Sequence, residues 1–412
     1  MKEILCTVIS VCMLFIICSC DKQNDLDTCS STYNQNVLQN SQEQLLDFSE
    51  NNYLSITKSN IFAQDQNIYY LKEKVSSQNC KIEFDTFKID ACDSCGNKIL
   101  YFTYMDDKYG YYCRSDEEAN TTGEIGRVDI ENNTYEKLIE IPVGNQSGPI
   151  VASKDYLVWE ESLNKSNWGI TRLNIYNIKK KTNETFYNHT INVNTGRCYA
   201  WNWSDCVIDG DLIYFDDIVG IKDEMYQVNL YSYNAKTGKI NLVKEMAKRP
   251  MKIGDGIIWQ ELNKDKVNTD ICLYKNKKVS NVLSFINNSC RAISVGQNGS
   301  IVIINGLISD GGDSINCAGV QIYNNNKLSQ LLVTKDCVYV ETAITDGNII
   351  LFTLNTVYKH KPLMFDIKGN KFIELECEKS MYSSLISNSY VYFLSNSQDE
   401  MKIIRIELSH NN

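Results

Sequence analysis

The chain has 412 residues, a formal net charge of −10 and a sequence pI near 5.0. This balance argues against nucleic acid, whose binding relies on Lys and Arg neutralising phosphates, and against docking on anionic lipid headgroups. Three histidines, His189, His360 and His410, leave little material for a His-activated nucleophile or a His-built zinc site.

The apolar stretch Ile4 to Ile17 follows Met1-Lys2 and ends at Ile17-Cys18-Ser19-Cys20. As a helix it spans about 21 Å, short of the roughly 30 Å hydrocarbon layer, so residues 1–19 read as a signal peptide. The last four residues resemble the lipobox of bacterial lipoproteins. That resemblance implies lipidation of Cys20 and a location on the extracytoplasmic side of the membrane, with acyl chains (palmitate among them) as the anchor. Residues 20–42 are rich in Asp, Asn, Gln, Ser and Thr, too polar to fold, and read as a flexible tether. The expected folded domain is 43–412.

Within it a tight polar turn leads repeatedly into an apolar-aromatic strand. Successive copies hold Gly96-Asn97 before Ile99, Asp155 before Leu157, Asp209-Gly210 before Leu212, Asp255-Gly256 before Ile257, Asn298-Gly299 before Ile301, Asp346-Gly347 before Ile349, and Asn388-Ser389 before Val391. The steps between these strands are 58, 55, 45, 44, 48 and 42 residues. A strand-rich unit of this period predicts an all-β fold, a β-propeller of seven blades, with eight as the alternative. Each turn is expected to join strands A and B, the inner two of four. One strand, Met401 to Leu408, follows the last copy, so the final blade needs a strand from the N-terminal side. The copy at Asn67-Ile68-Tyr69-Tyr70 is the expected closing strand.

Asn67-Ile68-Tyr69-Tyr70 and Leu230-Tyr231-Ser232-Tyr233, with Thr237-Gly238-Lys239, resemble the repeats of secreted bacterial β-propellers of the TolB-like and DUF5050-like kind, across roughly residues 65 to 408. The resemblance implies a fold and a binding habit rather than a reaction.

On the face shared by the D–A and B–C loops, the repeat places Trp168, Tyr199, Trp201 and Trp203. The adjoining B-strand ends carry Glu160-Glu161, Asp216-Asp217 and Gln260-Glu261. Flat aromatics beside carboxylates suit a sugar ring or a cationic peptide. Glu160, Asp216 and Glu261 with Trp168, Tyr199, Trp201 and Trp203 are therefore the candidate ligand contacts, whereas Trp159 and Trp259 read as core. The same carboxylates would serve a glycosidase or lyase if correctly spaced, and a non-catalytic scaffold of an envelope complex is the third reading. The expected partner is a glycan or protein, and the expected state a monomer.

Twelve cysteines follow Cys20, an even number compatible with up to six disulfides, Cys80–Cys113 and Cys290–Cys317 among the possible pairs. Cys92-Asp93-Ser94-Cys95 lacks the second pair a zinc site needs. Ser309-Asp310-Gly311-Gly312-Asp313-Ser314 lacks the spacing of a calcium loop. No metal or cofactor is expected.

Overall fold

A computed structural model describes residues 85–99, 101–114, 122–162, 171–189, 206–222 and 225–262. It also describes the strands and shorter turns from 269 to 407, and two short strands ahead of residue 85. Residues 1–42, read above as signal peptide and tether with Cys20 between them, lie outside these residues, as do Cys80, Cys198 and the 309–314 segment. Among the described residues every regular element is a strand.

The N-terminal strands are β1 (Leu54–Ile56), β2 (Tyr69–Tyr70) and β3 (Asp85–Ile89). Blade one holds β4 (Tyr104–Met105), β5 (Tyr109–Arg114), β6 (Gly123–Asp129) and β7 (Thr134–Ile141). Blade two holds β8 (Gln146–Ala152), β9 (Tyr156–Ser162), β10 (Thr171–Asn177) and β11 (Thr182–Asn188). Blade three holds β12 (Cys206–Asp209), β13 (Leu212–Lys222), β14 (Met225–Asn234) and β15 (Lys239–Glu245). In blade four are β16 (Ala247–Ile253), β17 (Gly256–Leu262), β18 (Thr269–Lys275) and β19 (Lys278–Phe285). Blade five has β20 (Cys290–Val295), β21 (Ile301–Ile308), β22 (Ile315–Asn324) and β23 (Lys327–Val333). Blade six has β24 (Tyr339–Thr345), β25 (Ile349–Thr356), β26 (Lys359–Asp366) and β27 (Lys371–Glu374). Blade seven has β28 (Met381–Ile386), β29 (Tyr390–Ser397) and β30 (Glu400–Glu407), completed by β3.

Seven antiparallel meanders arranged in a ring make this chain an all-β, seven-bladed β-propeller. Alternation along each strand supplies the glue. Leu157 and Trp159 face blade one, where they pack with Tyr111, Ile125, Ile139 and Ile141. Their neighbours Tyr156 and Val158 face blade three and meet Ile213 and Phe215. Residues of opposite parity on one strand therefore belong to different seams, as the pleat requires. Outer strands face water, and both β11 and β15 are exposed along their first four residues.

The ring closes through a strand other than the expected one. β3 pairs antiparallel with β30, Asp85 opposite Arg405 and Ile89 opposite Met401. Ile89, Met401, Ile403 and Tyr392 then share one core with Met105, Tyr112 and Val128 of blade one. Tyr69–Tyr70 instead pairs parallel with Leu332–Val333 on the outer edge of blade five, and Leu54–Ile56 pairs parallel with Leu283–Phe285 on blade four. A closing D strand is not preceded by an A–B turn, so a search for turn plus strand passes over it.

The turn of blade one is likewise shifted. Gly96, at φ 83°, belongs to the connection between β3 and blade one, where Cys92 bridges Lys98. The apolar run after it leads to β4, the innermost strand. The A–B turn is Asp106-Asp107-Lys108: Asp106 Oδ1 accepts the N–H groups of Lys108 (2.8 Å) and Tyr109 (2.7 Å), which makes an aspartate-built turn without glycine. Gly110 pairs with Met105 as Leu157 pairs with Ala152. The first step of the repeat is thus 47 residues from Gly110 to Leu157, within the range of the others.

The A–B turns also bond to one another around their face. Ser389 donates through N–H (3.0 Å) and Oγ (2.8 Å) to Asp107. Tyr156 Oη donates to Asp211 at 3.1 Å, and Asn298 Nδ2 to Gly347 O at 2.6 Å.

Candidate functional site

The opposite face, where A strands begin and B strands end, collects the acid pairs. Because alternate residues face alternate seams, each pair is split. Glu160 and Asp216 face the following blade, whereas Glu161, Asp217 and Glu261 face the preceding one, and each meets a different set of partners.

At the seam between blades one and two, Glu161 is 2 % exposed. It accepts from Asn145 Nδ2 (2.5 Å), Arg172 Nη2 (3.1 Å to each oxygen) and Asn174 Nδ2 (3.1 Å). Asn145 belongs to the D–A connection, so this carboxylate ties that loop to the B and C strands. Between blades three and four, Asp216 accepts the backbone N–H of Arg249 at 2.8 Å. Arg249 holds a left-handed φ of 57°, costly for a side-chain-bearing residue, and this conformation places its N–H on the carboxylate. Glu261 retains 21 % side-chain exposure and pairs with Lys244 Nζ at 2.8 Å. It also accepts from Cys272 Sγ at 3.3 Å, and burial followed by the Glu261 charge pushes that thiol up to about 12.

The seam between blades two and three holds the most concentrated arrangement. His189 follows the D strand β11 and enters between two acids from different sheets. Its Nδ1 lies 2.6 Å from Asp217 Oδ1, and its Nε2 lies 3.4 Å from Glu160 Oε1. Tyr187 Oη donates to the other Asp217 oxygen at 2.7 Å. Burial works to lower the His189 pKa. The bond to Asp217 and the charges of Glu160, Asp217 and Asp216 outweigh burial and raise it above the ordinary 6.5.

Of the residues expected to contact ligand, Glu160, Asp216 and Glu261 fall on this face, at the roots of the loops. Glu160 and Asp216 are 2 % and 6 % exposed and point into seams; Glu261 reaches the surface. Trp168, Tyr199, Trp201 and Trp203 lie outside the described residues. Their segments, 163–170 and 190–205, begin immediately after β9 and His189. Trp159 and Trp259 are core, each at most 2 % exposed. His189 is the residue that sequence reasoning passed over. It belongs to no short motif, but counting along the repeat sets it at the end of a D strand beside Glu160 and Asp217.

The turn Cys92 to Lys98 lies on the same face, in the connection entering blade one. Asp93 takes the N–H groups of Cys95 (2.8 Å) and Asn97 (2.9 Å) and pairs with Arg114 Nε at 2.5 Å. Ser94 donates to Glu124, which is fully buried and also accepts from Tyr112 (2.7 Å) and Tyr135 (3.2 Å). Cys92, Cys95, Cys113 and Cys272 are free thiols.

No protein-family model and no curated protein sequence matches the chain. Among solved structures it is similar to the β-propeller domain of the Trilobed protease from Pyrococcus furiosus. That match has 9% identity and a TM-score of 0.52, and covers 79% of this chain and 99% of that one. It is similar too to the acylaminoacyl peptidase of Pyrococcus horikoshii, with 9% identity, a TM-score of 0.50 and coverage of 79% and 53%. This chain therefore spans about half of that peptidase. The Trilobed protease propeller is described as having an open velcro topology, whereas here β3 pairs with β30. At these identities the likeness is one of fold, and the fold is the β-propeller.

Proposed function

We propose that this protein is a lipid-anchored, extracytoplasmic binding protein whose propeller takes a glycan or protein ligand on the D–A and B–C face of blades two to four. The supporting observation is the row of acid pairs ending the B strands of blades two and three, continued by Gln260-Glu261 in blade four, all on one face. Buried hydrogen bonds hold Glu161, Asp216 and Asp217, and a rigid base of this kind keeps contact residues in place. The segments rooted there carry Trp168, Tyr199, Trp201 and Trp203. In this reading the aromatics stack on the ligand, Glu261 meets its polar groups, and Glu160 and Asp216 set the loop roots.

A hydrolase or lyase on this face would need two carboxylates open to the scissile bond at a defined separation. The engagement of Glu160 and Asp216 inside the seams supports binding over turnover. Glycan-array and cell-wall pull-down measurements test the reading: Trp201→Ala with Trp203→Ala should abolish capture, and capture unaffected by that pair of changes overturns the site. Polysaccharide cleavage lost in Glu261→Gln would instead establish the enzyme.

A further inference from the structure

The face that carries the A–B turns also carries the C–D turns, and there the lysines gather. The C–D turn of blade two contains Lys179-Lys180-Lys181, and blades three and four add Lys236 and Lys275 beside theirs. The D strands continue the pattern. β15 begins Lys239-Ile240, β19 Lys278-Val279, β23 Lys327-Leu328 and β27 Lys371-Phe372. In each the apolar residue pairs with an aromatic of the C strand, in turn Tyr233, Tyr274, Tyr323 and Phe365. Four consecutive blades thus set a lysine and an apolar residue at the same place on the outer rim. Lys236 and Lys275 are engaged by Asp211 and Asp255 of the A–B turns, and Lys252 by Asp209. Lys179, Lys180, Lys181, Lys239 and Lys278 are exposed and enter no ion pair among the described residues. Beside them Ile240, Leu242 and Val279 are 38 %, 51 % and 55 % exposed, and apolar residues grouped at a surface mark a contact site. One lysine is also held at a backbone cost. The residue before the D strand takes a left-handed φ in blades one to three, where it is Asn133, Lys181 and Gly238. Asn and Gly suit that conformation, and lysine does not. The net charge of −10 does not describe this sector.

We propose that the C–D rim of blades two to four is a membrane-contact surface. It lies on anionic phospholipid, with its lysines on headgroup phosphates and Ile240 and Val279 at the acyl boundary. The apolar residues favour a lipid surface over a soluble polyanion, which would offer them no apolar phase. β1 points the same way. It runs parallel to β19 with Leu54 opposite Leu283 and Ile56 opposite Phe285, so it starts at its end nearer Lys278. The folded chain is therefore entered from the lysine-bearing side, where the anchor proposed at Cys20 would draw it down; the rim itself stands without that anchor. The D–A and B–C face then looks away from the lipid.

Vesicle co-sedimentation of the full chain carrying Cys20→Ser, which removes the acylation site, tests the rim. Vesicles of equal parts phosphatidylglycerol and phosphatidylcholine should bind the protein more tightly than phosphatidylcholine alone, and rising salt should erase the difference. The apolar stretch Ile4 to Ile17 is present in both measurements, so the difference belongs to charge. Lys239→Gln and Lys278→Gln should each weaken anionic binding about fivefold. Ile240→Asn with Val279→Asn should weaken it too, without changing capture by soluble dextran sulfate. Lys181→Asn removes a cation and relieves its φ, so it should lower vesicle binding about fivefold while raising the urea midpoint, which separates lost contact from lost fold. Anionic binding that survives Lys181→Asn, or Lys239→Gln with Lys278→Gln, overturns the proposal. Binding indifferent to Ile240 and Val279 overturns it as well and assigns the lysines to a soluble polyanion. The function proposed above is read separately, since no glycan or protein ligand enters these measurements and either reading can fail alone.

Discussion

Arg405 and Asp85 lie 320 positions apart in sequence and directly opposite each other in the sheet, with Arg405 Nη2 3.0 Å from Asp85 Oδ2. The same guanidinium reaches Glu131 of blade one at 2.9 Å. It also lies over the rings of Phe87 (4.7 Å) and Tyr390 (4.4 Å). One side chain thus joins the closing strand, the last blade and the first. Both acids are more than half exposed, so water screens the ion pairs and the ring contacts carry more of the effect. Arg405→Ala should cost about 1–2 kcal/mol in urea unfolding. Arg405→Lys should recover only part of that loss, because it keeps the charge without the planar stack.

The opposite face depends on contact between turns. Gly347 has φ 106°, and an added Cβ would sit 2.2 Å from Asn298 Oδ1, the side chain that bonds the Gly347 carbonyl. Gly347→Ala should therefore cost about 1–3 kcal/mol by combining strain with a lost interblade bond. Gly220→Ala meets nothing within 4 Å and serves as the control, with a change inside about 0.5 kcal/mol. Equal effects of the two substitutions on the urea midpoint would refute the turn contact.

Trp159 fills the seam between blades one and two, and its indole N–H has no hydrogen-bond partner among the described residues. Truncation to Ala should destabilise by about 3–5 kcal/mol. Substitution by Phe keeps most of the volume and deletes an unsatisfied donor, so it should cost less than about 1.5 kcal/mol. Chemical denaturation of both variants distinguishes a packing role from a polar one.

The described thiols should differ in reactivity. Burial pushes Cys113 up to about 11 and Cys272 up to about 12, so both stay protonated at pH 8. The thiolate is the reactive form. Brief alkylation of the native protein at pH 8, read by peptide mass spectrometry, should label the exposed Cys95 first. Cys113 and Cys272 should react only after unfolding.

The proposed lipid anchor has its own measurement. Radiolabelled palmitate should be incorporated into the full chain, and Cys20→Ser should abolish the label and release the protein from the membrane fraction. Label that persists in Cys20→Ser would refute lipidation at that position.

The propeller was legible because an A–B hairpin advertises itself locally, in a polar turn followed by a strand buried on both faces, as at Asp209-Gly210-Asp211-Leu212. The blade count was readable for the same reason. The closing strand was not, since Asp85–Ile89 differs from other strands only in which partner it reaches, and that partner lies at the far end of the chain. Blade one misled through chemistry: Asp106 builds with its side chain the turn that glycine supplies in blades three to six, while Gly96 marks a different connection. At the candidate site the acid pairs stood out, but their division between seams depends on pleat parity. His189 gained meaning only when Glu160 and Asp217 were brought to its two nitrogens.

The two strands laid on the outside of the ring carry a mechanical consequence. β1 and β2 pair over three and two residues with the edges of blades four and five, and β3 pairs over five with β30. A pull on the chain ahead of Leu54 loads these contacts in series, the shortest ones outermost. β1 and β2 would detach first and pay out slack, like fuses, before tension reaches the strand on which ring closure depends.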